Sequence, residues 1–466
     1  MIQFKNKQTS LFDFVTGPIF ERVHDPELEN LKKLIESENL LEAFYNELIK
    51  HEKKVFDFGR PTHPMDVVIR MLILRRLYKW SYRTTEKMGN DSISVRKFLG
   101  LKEEAAPDHS ILSRWNKRIP ESLWKKLNET IVKAAKKKKV TLGNKMRTDT
   151  TVVEGNIHYP TDSHLLFDGI QKLGRLSRKV RSLGLVSGEI VRDFSRSAKR
   201  QVLGIIKYAR NRKEDGIHRF KKHYKALVSI AKRSVHHAKN IRTQVFDKTR
   251  DTRKDILRKI ERIEREYQKY LPRIEQVIHQ TVRRVFLGER LKNDEKLISI
   301  HEHHLYPIKK GKRSKPVEFG QMVKIQESDG GIITDWDIYR SQPSDANTFI
   351  PSIDKHKEIF RKAPILAAGD RGCWSKENEE TAKERGVKRV CIPLRGKKGK
   401  ERQAFEKQRW FKKGKRFRTG SEATISILKR RCGMNKNMDK GQECMDNWVA
   451  LSCIARNLWL IAHAMT

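Results

Sequence analysis

Three acids stand where chemistry gathers in a mixed α/β fold. Asp149 lies inside a β-branched run, Asp370 ends an apolar run, and Glu422 opens a helical pattern. In open α/β sheets the carboxyl ends of strands are where sites collect. Two Asp and one Glu brought together there form an all-oxygen, hard donor set suited to Mg²⁺ or Mn²⁺. Such a set can hold two ions about 4 Å apart, one on the attacking oxygen and one on the leaving oxygen of a phosphodiester. Lys429 follows Glu422 by seven residues, two helical turns, so both share a face with Ser426 between them. Ile425, Leu428 and Cys432 make the neighbouring apolar stripe that would pack on a sheet. An ammonium two turns from a metal-binding carboxylate suits a scissile phosphate. Each acid also has a plainer reading. Asp149 can be a surface strand acid and Asp370 a helix N-cap, although Ser375 is the better cap. Glu422 can favour the positive end of its helix. Glu154, Asp335 and Asp337 compete for the same role.

The elements that must position these residues follow from periodicity. From about Asp25 to Lys139 apolar residues recur at helical spacing, with Pro61 and Pro64 separating two helices. The segment from Met65 to Leu77 reads as apolar on one side and basic on the other, with Arg75 and Arg76 outward. Arg83 and Arg96 follow, and Pro107-Asp108-His109-Ser110 supplies another helix start. Short helices with outward Arg and Lys suggest a helix-turn-helix-like DNA-binding unit over residues 1–138, the alternative being a bundle with a solvated basic face. Residues 140–158 switch to a β-branched strand pattern. Residues 163–296 are helical and basic, with Ile256, Ile260, Ile263 and Tyr267 as an apolar stripe, and read as an insertion. Two alternating runs, 317–325 and 332–339, meet across Ser328-Asp329-Gly330-Gly331 as a β-hairpin. A helix over about 346–362, a strand ending at Asp370, a helix over 375–386 capped by Gly386 and a strand over 387–393 come next. A basic loop, 395–416, then precedes a helical region from Ser421 to the end. The order implies a mixed sheet with helices on its faces, the core being 139–162 with 297–466.

Composition narrows the partner. Lys plus Arg number 101 against 57 Asp plus Glu, a net charge of +44. Nucleic acid is the natural counterpart, because each phosphate neutralised releases condensed counterions. No uncharged apolar run of about 18 residues exists, so no membrane span is expected. The first residues lack the apolar stretch of a secretory signal, which points to the cytoplasm and the nucleoid. The five cysteines form no CxxC pair and read as reduced.

Arg147-Thr148-Asp149-Thr150-Thr151-Val152-Val153-Glu154 resembles the first-aspartate strand of bacterial insertion-sequence DDE transposases, and Gly369-Asp370-Arg371-Gly372 their second-aspartate motif. Arg418-Thr419-Gly420-Ser421-Glu422, continuing to Lys429, is similar to their glutamate motif, Y-x2-R-x3-E-x6-K, except that the Tyr position falls on Lys415. The stretch from Arg60 to Trp115 resembles the domain preceding their catalytic core. The resemblance implies an RNase H-like core, two Mg²⁺ or Mn²⁺ ions on Asp149, Asp370 and Glu422, and cleavage at transposon ends followed by strand transfer. It implies double-stranded DNA as partner, at terminal inverted repeats and at target, with a homodimer on the DNA. Arg418, Arg371, Arg75, Arg76, Arg83 and Arg96 would contact DNA, and Trp374 is either a core aromatic or a stacking platform for an extruded base. The alternatives are an RNase H-like nuclease without joining activity and a catalytically inactive DNA-binding protein.

Overall fold

In the computed structural model the described residues are 22–51, 63–184, 191–211, 213–247, 254–293, 295–310 and 316–465. Arg60 and Pro61 lie outside them. The chain divides into two compact units, Met1–Asn156 with Gln321–Thr466, and Ile157–Gly320. The helices before the first strand, that strand itself and the strands after residue 332 fall in the first of these units.

That first unit opens with α1 (Pro26–Ser37), α2 (Leu40–His51), α3 (Met65–Leu77), α4 (Tyr82–Asp91), α5 (Ile93–Leu99), α6 (His109–Arg118) and α7 (Glu121–Lys137). Local chemistry sets their starts. Asp25 accepts from the Leu28 amide and Pro26 takes the first turn of α1. Ser81 caps α4, and Asp108 caps α6 by accepting from the Ser110 amide at 2.7 Å. The α3 expectation needs correcting. Every residue from Met65 to Leu77 is buried, so the helix has no basic outer face. The cause is tertiary: the carboxy-terminal helix, α16 (Gln442–His463), packs on α1, α3, α6 and α7 and is itself buried on nearly all sides.

Strand β1 (Lys145–Gly155) follows α7. The hairpin is β3 (Val317–Ser328) and β4 (Ile333–Tyr339), antiparallel as expected, across a short 3-10 turn at Asp329–Gly331. Gly330 sits at φ 74 in that turn, and a Cβ there would meet the Val140 carbonyl oxygen at 2.0 Å. Asp329 accepts from the amides of Leu142 at 2.7 Å, Asn144 at 2.8 Å and Lys145 at 3.1 Å, which ties the hairpin to the start of β1. Next come α12 (Ala346–Phe360), β5 (Leu366–Ala368), α13 (Lys376–Glu384), β6 (Arg389–Cys391), α14 (Lys400–Lys407), α15 (Arg409–Arg430) and β7 (Lys436–Asn437). The order across this sheet is β3-β1-β5-β6, with β4 on β3 and β7 on β1. Strands β1, β5 and β6 run parallel, so the sheet is mixed as expected. Met146 packs with Phe349 and Ile353 of α12 on one face. On the other, Leu366, Ala368 and Cys391 pack on Phe411 of α15.

The second unit holds α8 (Asp162–Ser182), α9 (Ser195–Tyr208), α10 (Glu214–Asp247) and α11 (Lys254–Thr281). Their apolar stripes close one core in which Ile260, Ile263 and Tyr267 are buried and Ile256 is packed against it. Strand β2 (Tyr306–Lys309) pairs antiparallel with residues 317–320. Among the described residues no helix is long and apolar enough to cross a membrane.

Candidate active site

Strand β1 shows α15 the side chains at alternate positions, because successive residues of a strand point to opposite faces. Arg147 donates to the Phe417 carbonyl at 2.6 Å. Two residues on, Asp149 accepts from Ser421 Oγ at 2.9 Å and from the Thr150 amide at 2.8 Å. The residues flanking that pair face α12 instead: Met146 is in its core and Thr150 Oγ1 donates to Asp345 at 3.4 Å. Strand β5 pairs with β1 so that Arg147 stands opposite Ala368. Asp149 is two residues beyond Arg147 on β1, and Asp370 follows the end of β5 by two residues.

The third acid comes from α15, and here a second expectation is corrected. Residues 395–416 are not one loop. They include α14 and the first part of α15, so Glu422 lies in the second half of a 22-residue helix, far from its positive end. The helix dipole therefore gives no reason for Glu422. What Glu422 faces is Arg418, one turn earlier. Arg418 Nη1 reaches Glu422 Oε1 at 3.0 Å, while Nη2 reaches Asp149 Oδ2 at 3.3 Å and Asp370 Oδ2 at 3.7 Å. One guanidinium touches all three carboxylates. Their side chains are graded in exposure: Asp149 14%, Asp370 51% and Glu422 62%. Burial pushes the Asp149 carboxyl above the usual carboxylate range; Arg418, Ser421 and the Thr150 amide pull it back, and Asp370 adds to the rise.

Behind the acids is a buried polar network whose convergence sequence reasoning missed. Glu327 on β3, with its side chain 1% exposed, accepts from Arg147 Nη2 at 2.5 Å and from Thr424 Oγ1 of α15 at 2.9 Å. Arg456 of α16 reaches Thr424 Oγ1 at 3.4 Å and donates to the Gly331 carbonyl at 2.5 Å. This network joins β1, β3, α15 and α16 directly under the acids. The spacing Arg147-x-Asp149 was the available signal, since both must share a face. Glu327 and Arg456 carried none.

The competing acids are spent elsewhere. Asp337 pairs with Lys324 at 2.5 Å and Lys125 at 3.3 Å, and Asp335 with Lys125 at 3.6 Å. Glu154 lies further along β1, where that strand pairs with β7. Asp370 makes no side-chain cap; Ser375 does, accepting from the Asn378 amide at 3.0 Å. Arg371 is exposed beside Asp370, and Lys429 is half-buried. Trp374 packs partly into the core around Phe349 and Cys373, while its indole N–H has no acceptor among the described residues.

The proposed DNA contacts of the amino-terminal helices separate into two groups. Arg83 is exposed. Arg75 and Arg76 are not, with 3% and 1% exposure. Arg75 makes a two-pronged pair with Asp439, at 2.8 and 3.0 Å, and lies over the Tyr82 ring. Arg76 donates to the Cys432 carbonyl and to Ser452 Oγ and lies over the Trp448 ring; burial lowers its pKa to about 9. Their guanidinium groups hold α3 to the carboxy-terminal segment and offer no surface to a phosphate. Arg96 is half-buried and closes its loop by donating to the carbonyls of Lys102 and Glu104.

Among the described residues, Glu86, Asp108 and His109 have ligand atoms within 4.8 Å of one another. Each serves the local fold: Asp108 caps α6, and His109 donates its amide and turns its ring to Glu86. The oxygens of Asp149, Asp370 and Glu422 stand further apart, with Arg418 between them.

A family model described as Transposase domain (DUF772) matches residues 19–118. No curated protein and no solved structure matches the chain. The matched stretch covers α1 to α6 and ends before β1, so the three acids lie outside it. The match identifies a transposase-type domain in that stretch.

Proposed function

With a transposase-type domain in residues 19–118 as the premise, we propose that this chain is an insertion-sequence DDE transposase with an RNase H-like core. It would cut DNA at the terminal repeats of its element and join the ends to target DNA. The observation that carries this reading is the meeting of Asp149, Asp370 and Glu422 on one guanidinium. These acids lie on three separate elements, Asp149 and Asp370 more than 200 residues apart in the chain, and a surface carboxylate with no task has no reason to face two others.

The donor set fits a divalent metal. It is all oxygen, carboxylate-rich and graded from buried to open, which suits Mg²⁺ or Mn²⁺ with substrate oxygens completing the shell. Two such ions would activate the attacking oxygen and stabilise the leaving one. The chain's own residues prepare the place. Ser421 and the Thr150 amide hold Asp149 in one orientation, and Lys429, two turns beyond Glu422, would set an ammonium beside the phosphodiester. Arg83 on α4 and Arg371 beside Asp370 are exposed and remain the proposed DNA contacts. The test replaces Asp370 with Asn. Cleavage of labelled end DNA should be lost with DNA affinity nearly unchanged, since affinity comes from many Lys and Arg. Equal loss of both would make Asp370 structural, and the appearance of cut but never joined ends in the parent protein would favour a nuclease.

A further inference from the structure

The position of Arg418 in the cluster is more than a bridge. Both of its terminal nitrogens are committed to the three acids, and its Nε, buried, has no partner among the described residues. Three carboxylates placed together repel one another unless a cation sits among them. We propose that Arg418 is that cation in the metal-free protein: it occupies the place a divalent ion takes, and metal must displace it to enter. The inference rests on the reading of Asp149, Asp370 and Glu422 as metal ligands.

Three features make the displacement feasible. Arg418 and Glu422 are one turn apart on the same helix, so the guanidinium leaves by turning its own side-chain torsions with no change in α15. Two of its three partners are more than half exposed, and ion pairs of that kind are weak and yield to a divalent cation. Asp149, the buried member, keeps the bonds from Ser421 and the Thr150 amide when Arg418 departs. The site is thus held ready by the backbone and by Ser421, while Arg418 suppresses the repulsion until metal arrives. A device of this kind makes metal occupancy depend on an internal competitor.

The experiment uses the full chain without DNA and Mn²⁺ alone, with free Mn²⁺ followed by its electron paramagnetic resonance signal. The proteins are the parent, Arg418→Gln, Arg418→Lys and Asp370→Asn. Removing a resident cation that makes three such pairs should tighten Mn²⁺ binding by about tenfold in Arg418→Gln. Arg418→Lys should fall between, because one ammonium cannot span three carboxylates. Affinity in Arg418→Gln equal to or weaker than the parent would overturn the proposal and make Arg418 an organiser of the metal site. If circular dichroism finds Arg418→Gln unfolded, the lysine variant decides by the same comparison. Asp370→Asn separates the two failures. If it binds Mn²⁺ as the parent does, the metal lies elsewhere and both the site and the proposal fall. If it loses binding while Arg418→Gln shows no gain, only the displacement falls.

Discussion

Replacing Arg147 with Met should cost the first unit about 3–5 kcal/mol of stability. The magnitude follows from what Arg147 leaves behind. Glu327 would lose its partner at 2.5 Å while its side chain stays 1% exposed, with Thr424 and the more distant Arg456 as company. The Phe417 carbonyl would lose its donor as well. An uncompensated buried carboxylate escapes by taking up a proton, which gives the prediction a second edge. Burial already holds the Glu327 carboxyl above its usual range, with Arg147 the main group opposing that rise. In the variant it rises further. A carboxyl whose folded pKa is raised stabilises the fold fully only below its unfolded value, and that contribution is lost as pH rises through the folded one. The deficit of the variant should therefore be largest near about pH 8 and smaller near about pH 5. Urea unfolding followed by tryptophan fluorescence isolates the effect, because all eight tryptophans lie outside residues 157–320. The pair Arg147→Met with Glu327→Met should recover much of the loss, since apolar replacement of both partners removes the buried charge. A loss below about 1 kcal/mol, or one independent of pH, would refute the view of this pair as a desolvated clamp.

Four further outcomes are expected. Lys429→Ala should lower cleavage and joining with bulk DNA affinity intact; strand transfer at the parent's rate under saturating DNA and metal would place Lys429 outside the reaction. Arg75→Ala should destabilise the fold by about 3–5 kcal/mol through its buried pair with Asp439, whereas Arg83→Ala should leave the melting temperature unchanged and weaken a steeply salt-dependent affinity for end DNA; the reverse pattern would restore Arg75 as a DNA contact. Gly330→Ala should destabilise by about 1 kcal/mol or more, from a left-handed φ of 74 and a Cβ that would meet the Val140 oxygen, read by thermal melting. His356, buried and bonded through Nε2 to the Gly143 carbonyl, has its pKa lowered from 6.5 to about 4. Its contribution is present above 6.5 and lost as pH falls towards about 4, up to about 3 kcal/mol; His356→Gln with an unchanged pH profile of stability would refute this.

Local patterns in the sequence were enough to read the hairpin around Asp329, the strand ending near Asp370, the Ser375 cap, the long basic helices and the shared face of Glu422 and Lys429. These depend on spacing along a few residues, and spacing is what a sequence displays. Asp149 within a strand and Asp370 just past the end of one were legible for the same reason, whereas Glu422 read as opening a helix and lies in the second half of α15. Burial of the arginines was not. In α3 the apolar and basic residues look like two faces of a surface helix, yet Asp439, Ser452 and Trp448, more than 350 residues later, supply the partners that let Arg75 and Arg76 be enclosed. A buried cation needs its partners, and no local pattern names partners that distant. The same holds for Glu327, which reads as an ordinary strand acid until Arg147, Thr424 and Arg456 close around it. It holds also for Arg418. Its spacing from Glu422 is a local fact, but the register of β5 on β1 and the packing of α15 across them are what place Asp149 and Asp370 on the same guanidinium.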